Sequence, residues 1–579
     1  VGQTRLAPLA HAWLQHQIHF PAAAFASRFR ADRFAVSPKS REIFRVCCGG
    51  QILKIFMSPK YFRSSHATFI AVAAAFGFAA AARADVKLPP VFSDHMVLQR
   101  DVPAPVWGTA TPGEEVSVAI AGQTKSTTAD DTGKWRVKLD PLKAGGDTLT
   151  LTVKGKNTIA IQDVLVGEVW VGSGQSNMDG RAGGYAKGDE VLAGLVARPL
   201  PQVRHISPKG TWQVTTPQAA GSFSALLFPF GVRLHEELKV PVGLMLGAVG
   251  GTPSGYWLTE EMYQADAGCK EAAANFAKTY NFDAAQKKYP DDVAAWEKAV
   301  AKAKEDNKPA PRKPSPPVRA GESTGAKIGH LFESHIRGYV GYAIRGVLWD
   351  QGESGTVILG VDQFSLMGAL IKGWRNEWGQ GEFPFLYVQK PSGGGCAWNP
   401  EDPVTKNASK FAPLPAAAPG GGDGLYRELH VRIQQHPNTA MVISSDLGAG
   451  IHPTNKSGYG TRASRVALGM VYGTAVETQG PLYVSHAIDG GKVRIKFSHV
   501  GAGLAARHSE KLQGFAIAGA DKKFVWADAV IEGDSVVVSS ASVPNPASVR
   551  YAWASQHPWA NLFNKDGLPA QTFRTDDWK

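Results

Sequence analysis

Cysteine is scarce. The 579-residue chain has 4, and two of them, Cys47 and Cys48, fall in a leader-like stretch. Cys269 and Cys396 remain to pair after export, too few for a disulfide scaffold or a thiolate metal site. No His-x-x-x-His pair or cysteine pair at ligand spacing follows the leader, so a metal is not expected. Excess positive charge is also thinner than the formal +12 suggests. Residues 1–84 carry 11 Lys and Arg against 2 Asp and Glu, which accounts for nine of those twelve charges. The remainder is nearly balanced, which argues against a nucleic-acid partner. Long apolar runs are absent after residue 84. The run Phe69–Ala82 follows Met57, Lys60 and Arg63 and precedes Ala82-Arg83-Ala84, the pattern of a secretory signal peptide. It is shorter than a bilayer span, so the expectation is a periplasmic or secreted protein with no membrane partner once the signal is removed. Residues 1–84 are read as upstream residues and signal peptide.

What the chain has in quantity is 63 Gly and 37 Pro, which suits sheet-rich domains with long loops. Residues 85–165 read as short strands between turns; Val116–Ile120 and Trp135–Leu139 alternate apolar and polar residues, the pattern of half-buried strands in a small β-sandwich. Residues 166–478 change period. Apolar strands at Val240–Leu246, Ile344–Trp349, Phe385–Val388 and Ala440–Ser444 alternate with helical patterns at Phe228–Glu237, Ile328–Ala343, Gln363–Trp374 and Leu425–Gln434. This is an α/β series with a parallel sheet covered on both faces. Residues 260–320, helical and then Pro-rich, read as an excursion from it. Strand alternation returns over 479–579 as a second sandwich.

The apolar stretches Val164-Leu165-Val166 and Val169-Trp170-Val171 lead into Gly172-Ser173-Gly174-Gln175-Ser176-Asn177-Met178. A buried strand stopping at Gly-x-Ser presents one hydroxyl at a sheet tip, with small neighbours that admit a carbonyl carbon. Ser176 is therefore the candidate nucleophile, and Ser173 a turn hydroxyl. His452, in a loop between Gly450 and Pro453, is the candidate base, and Asp446 at the preceding strand end the candidate orienter of its imidazole. Candidate oxyanion donors are the Ser176 N–H, the Gly250-Gly251 backbone and the Gln351 side chain. Glu353 is read either as direct site support or as a structural partner of Arg345 or Arg375. A two-carboxylate glycosidase built on Glu353 and Asp446 would leave Ser176 and His452 unused. A lipase or peptidase would want an apolar lid that is not apparent.

With these residues assembled, the chain resembles the sialate O-acetylesterase family of the SGNH (GDSL-like) hydrolases. The resemblance rests on Phe92–Gln99, Gly172–Met178, Gly250-Gly251-Thr252-Pro253, Ile344–Ser354, Trp374-Arg375, Ile451-His452-Pro453 with Lys456, and Asn561–Arg574. It implies a three-layer α/β/α hydrolase domain flanked by β-sandwich domains, and O-acetyl removal from sugars without a cofactor. By that resemblance Ser176 is the nucleophile, His452 the base, and Gly251 and Gln351 oxyanion-hole members; Asn177, beside the serine, is a further candidate for site support. Many SGNH enzymes carry an Asp three residues before the histidine; here that position is Ala449, and the acid carries over to Asp446. Asp350 and Gly355 also depart from the family pattern. The expected partner is an acetylated oligo- or polysaccharide. A plant glycan such as xyloglucan or xylan is favoured because Trp257, Trp398 and Trp559 suit stacking on neutral sugar rings. Acetylated sialic acid is the alternative, and an inactive carbohydrate-binding multi-sandwich protein the non-enzymatic one. Oligomeric state is not legible.

Overall fold

Alternation of side chains across one sheet sets the architecture of the middle segment. Its strands are β1 (Thr158–Gly174), β2 (Leu200–Ile206), β3 (Gln213–Thr215), β4 (Val242–Ala248), β5 (Gly346–Asp350), β6 (Phe385–Val388) and β7 (Thr439–Val442). They lie in the order β3-β2-β4-β1-β5-β6-β7, and every neighbouring pair is parallel except β2 with β3. This computed structural model describes residues 85–578 except 397, 407 and 449, with the backbone of the strand pair Arg45–Cys48 and Gln51–Lys54. The leader pattern of Met57–Ala84 lies outside the described residues, as does Ala449.

Successive residues of a strand face opposite sides. Val169, Val171, Val347, Trp349, Phe385 and Tyr387 join one buried cluster, while Trp170, Leu348, Leu386 and Val388 join another. Helices α1 (Leu227–Leu238) and α4 (Lys456–Met470) cover the second face through Leu227, Phe230, Leu234, Tyr459, Ala463 and Val466. Helices α2 (Gln363–Trp378) and α3 (Leu425–Ile433) cover the first through Leu366, Leu370, Trp374 and Ile433. This is the α/β/α layering the sequence predicts, and each such side chain fully buried contributes about 1.5–3 kcal/mol. Capping fixes the ends. Asp362 Oδ1 accepts from the Ser365 N–H at the start of α2 (2.9 Å), and Asn455 Oδ1 from the Gly458 N–H at the start of α4 (3.0 Å).

Smaller β-sheets flank this layer. Strand β1 is shared: its first half pairs antiparallel with Gly145–Lys154 and its middle, Leu165–Gly167, parallel with Val97–Gln99. The pairs Glu115–Ile120 with Gln123–Thr128, and Ala104–Thr109 with Lys134–Leu139, complete the N-terminal β region. Where β1 passes from one sheet to the other, buried Glu168 accepts from Gln99 (3.1 Å), Arg100 and Arg345 (2.7 Å). After α4, four-stranded sheets built on Lys492–Ser498 and on Phe515–Ala518 enclose a separate core containing Val493, Phe515, Val538 and Tyr551.

The excursion holds helices Glu260–Ala265, Ala267–Ala277 and Phe282–Glu305. The last buries no residue; Trp296 Nε1 donates to Pro311 O (2.8 Å), so the Pro-rich return lies along it. One predicted helix is shorter and less regular than expected: within 328–343, residues 330–339 are helical in succession, with an α start at His330-Leu331, a π segment Phe332–Ile336 and a 3-10 turn Arg337–Tyr339. Gly329 and Gly341 flank them at φ +79° and +89°, outside helical space. Cys269 and Cys396 are buried and unpaired with each other. Among the described residues no helix is long and apolar enough to cross a membrane.

Candidate active site

Strand β1 ends at Gly174, whose φ is +129° and whose added Cβ would lie 2.0 Å from Asp350 O. Only glycine fits there. The chain then turns sharply: Gln175 N–H donates to Asp350 O (2.8 Å), and Ser176 opens the short helix Ser176–Asp179, half-exposed beyond the strand end. Chain connections leave β1 toward β2 and β4 on one side, with β5 on the other, so Ser176 stands at the switch point where open α/β sheets place ligands. Ser173 is fully buried and donates to Gly247 O (2.6 Å), a structural hydroxyl.

His452 comes from the loop between β7 and α4, 276 residues away, and its Nε2 lies 2.8 Å from Ser176 Oγ. Asp446 does not join this pair. It is fully buried and accepts from Arg462 Nη1 (3.2 Å) and Nη2 (3.0 Å), because α4 packs its own guanidinium against the end of β7. Among the described residues no hydrogen bond reaches His452 Nδ1.

The expected oxyanion donors divide. The Gly250-Gly251 turn lies against the nucleophile, with Ser176 Cβ 3.5 Å from where a Gly250 Cβ would sit. The Gly250 N–H donates to Asp179 Oδ2 (3.4 Å), while those of Ser176 and Gly251 have no acceptor among the described residues. Gln351 is committed elsewhere. Its amide donates to Thr252 O (3.2 Å) and Gly355 O (3.1 Å), and its Oε1 accepts from Gln363 Nε2 (3.1 Å). This buried residue braces the turns around the site rather than offering a free N–H.

Beneath the serine lies a charged cluster that the sequence reading did not assemble. Lys390, fully buried past the end of β6, donates to Asp350 Oδ1 (2.5 Å), Glu353 Oε1 (2.6 Å) and Ser392 Oγ (2.9 Å). Burial works against its charge, but the two carboxylates hold its ammonium above the usual range. Burial pushes the Asp350 carboxyl up against the opposing pull of Lys390; at Glu353 the nearby ammonium outweighs burial and lowers it. Neither Arg345 nor Arg375 pairs with Glu353: Arg345 is on Glu168, and Arg375 donates to the carbonyls of Phe383, Pro437 and Asn438. Asn177 donates to Glu353 Oε1 and Ile451 O, both at 3.0 Å, and accepts from Lys456 Nζ at 2.6 Å. Burial drives the Lys456 pKa down to about 7. A lysine closing an apolar strand, as in Phe385–Lys390, was the available signal for Lys390; Lys456 had entered only as a motif residue.

The tryptophans offered for sugar stacking sort by burial. Trp257 is 0% and Trp559 5% exposed, both core residues. Trp398 is half-buried, with Lys410 Nζ 4.8 Å over its ring. Two of the three are therefore unavailable to a glycan.

No protein-family model matches the chain. It is 28% identical over 439 residues to the sialate O-acetylesterase of Rattus norvegicus, covering 67% of this chain and 74% of that protein. The human sialate O-acetylesterase is 26% identical over 436 residues, at 67% and 72% coverage. Among solved structures, a carbohydrate acetylesterase from Xanthomonas citri superposes with a TM-score of 0.64 and 29% identity, covering 85% of this chain and 100% of that one. By sequence and by fold, the protein is related to the carbohydrate acetylesterases.

Proposed function

We propose that this protein is a carbohydrate O-acetylesterase in which Ser176 is the nucleophile and His452 the general base. The 2.8 Å approach of Nε2 to Oγ carries the reading, since it joins two residues from distant segments in the geometry that proton transfer requires. Neutral His452 takes the Ser176 proton as Oγ adds to the acetyl carbonyl. The developing oxyanion faces the open N–H groups of Ser176 and Gly251. The imidazolium then protonates the sugar oxygen as its bond to the acetyl carbon breaks, so that the sugar leaves as a free hydroxyl and an acetyl-serine remains. Water, deprotonated by His452, releases acetate and restores the serine. Asp446 contributes through Arg462, by holding the β7 end from which the histidine loop departs.

As substrate, O-acetylated sialic acid is better supported than a plant polysaccharide. The curated relatives are sialate O-acetylesterases, and burial of Trp257 and Trp559 removes most of the argument for stacking on neutral rings. The leader pattern supports a periplasmic or secreted location. The test is acetate release from O-acetylated sialic acid, acetylated xylan and acetylated xyloglucan, alongside burst kinetics on an activated acetyl ester. The expected result is a burst abolished by Ser176→Ala, with sialate the best glycan. Release from xylan or xyloglucan alone would overturn the substrate assignment. A Ser176→Ala protein with undiminished turnover, or a wild type that retains glycans but never hydrolyses them, would overturn the mechanism.

A further inference from the structure

Resting on that reading, we infer that Asn177 is a positioning residue: its side chain, clamped by Glu353 and Lys456, sets the distance between Ser176 and His452 by gripping the backbone one residue before the histidine. Asn177 is adjacent to the nucleophile and fully buried. One Nδ2 proton goes to Ile451 O and the other to Glu353 Oε1, both at 3.0 Å, while Oδ1 accepts from Lys456 Nζ at 2.6 Å. These partners admit one orientation. A carbonyl and a carboxylate only accept, and a lysine nitrogen on this side supplies the donor, so turning the amide over would set like against like at all three contacts.

The clamp is itself braced. Glu353 Oε1 also accepts from Lys390 (2.6 Å) and Ser392 (3.3 Å), and Lys390 is tied to Asp350 at the end of β5. Lys456 is the first residue of α4, the helix into which the histidine loop runs. The amide of Asn177 thus links the ends of β1, β5 and β6 to the start of α4.

Among the described residues little else restrains the imidazole. Ile451 is 63% exposed and His452 is exposed. Gly448 and Gly450 give the preceding backbone φ values of +155° and +76°. Asp446, the residue expected to hold Nδ1, is taken by Arg462. The restraint that an acid ordinarily applies to the ring is here applied to the main chain at Ile451.

Full-chain wild type, Asn177→Ala, Lys456→Met, Ser176→Ala, His452→Ala and the doubles of the first two substitutions with His452→Ala are assayed on p-nitrophenyl acetate, with melting temperature recorded for each. Misplacement of a reacting group by about 1 Å costs on the order of 100-fold, so Asn177→Ala should lower kcat by about 10- to 100-fold with KM changed less than about threefold. Lys456→Met, nearly isosteric, should lower kcat in the same direction with less effect on folding. In the His452→Ala background each should change the residual rate less than about twofold, because there is no imidazole left to place. If Ser176→Ala and His452→Ala abolish turnover but Asn177→Ala and Lys456→Met leave kcat intact, or reduce it equally in the His452→Ala background, the positioning role is overturned and the esterase reading stands. If Ser176→Ala keeps the wild-type rate, the esterase reading fails instead.

Discussion

Replacing Lys390 with Met should expose what the ion cluster under the serine contributes. In the native protein one ammonium satisfies Asp350 Oδ1 at 2.5 Å and Glu353 Oε1 at 2.6 Å, with Lys390 and Asp350 fully buried and the Glu353 side chain 13% exposed. Methionine keeps most of the volume and removes the charge. Two carboxylates then share a site with only the more distant Lys456 to offset them, and breaking a buried pair in this way costs about 3–5 kcal/mol. The loss must depend on pH. Without Lys390 the folded-state carboxyl pKa values rise above their unfolded values, so the variant binds protons on folding. Its deficit is small below the ordinary carboxylate range and grows by up to about 1.4 kcal/mol per pH unit as pH rises toward the raised values. Urea denaturation of wild type and Lys390→Met at pH 5 and pH 8 measures this. The expected result is a deficit at pH 8 larger by at least about 1 kcal/mol than at pH 5. An equal deficit at both would mean that Lys390 acts through packing alone and would refute the electrostatic account.

Three further outcomes are expected. Gly174→Ala, forced to φ +129° with its Cβ against Asp350 O, should cost at least about 1–3 kcal/mol and disorganise Ser176, which thermal melting and labelling by a fluorophosphonate would report together. Gln351→Met should lower stability, by stripping donors from Thr252 O and Gly355 O, but lower kcat less than about tenfold; a loss of about 100-fold or more on an activated ester would return Gln351 to the oxyanion hole. Lys456, with a pKa near 7 folded against its ordinary 10.5, releases its proton on folding between those values. Wild-type stability should therefore rise by about 1.4 kcal/mol per pH unit from pH 7 to 10 from this group, and Lys456→Met should flatten that rise in denaturation curves.

The strand ends were legible because the signals there are local. A buried apolar run broken by Gly-Ser-Gly, and a histidine between Gly450 and Pro453, announce a turn and an exposed ring whatever the rest of the chain does. Carboxylate partners were not legible. Asp446 stands at a strand end where an orienting acid is reasonable, but Arg462, nearly two turns into α4, reaches it first, and that depends on how α4 packs on the sheet. Gln351 likewise loses its free amide to two loop carbonyls whose positions no spacing rule supplies. The helix expected over 328–343 is trimmed at both ends for a local reason, the positive φ at Gly329 and Gly341. Trp257 and Trp559 misled because an indole near a motif looks the same in sequence whether it faces water or core.

Strand β1 belongs to two sheets at once, and the nucleophile follows its last residue. No tether separates the leading β region from the hydrolase layer, so that region cannot swing as an appended module would; it is a buttress cast in one piece with the serine's support. Exchanging it for another sugar-recognition unit would sever the rod on which the reactive hydroxyl is mounted.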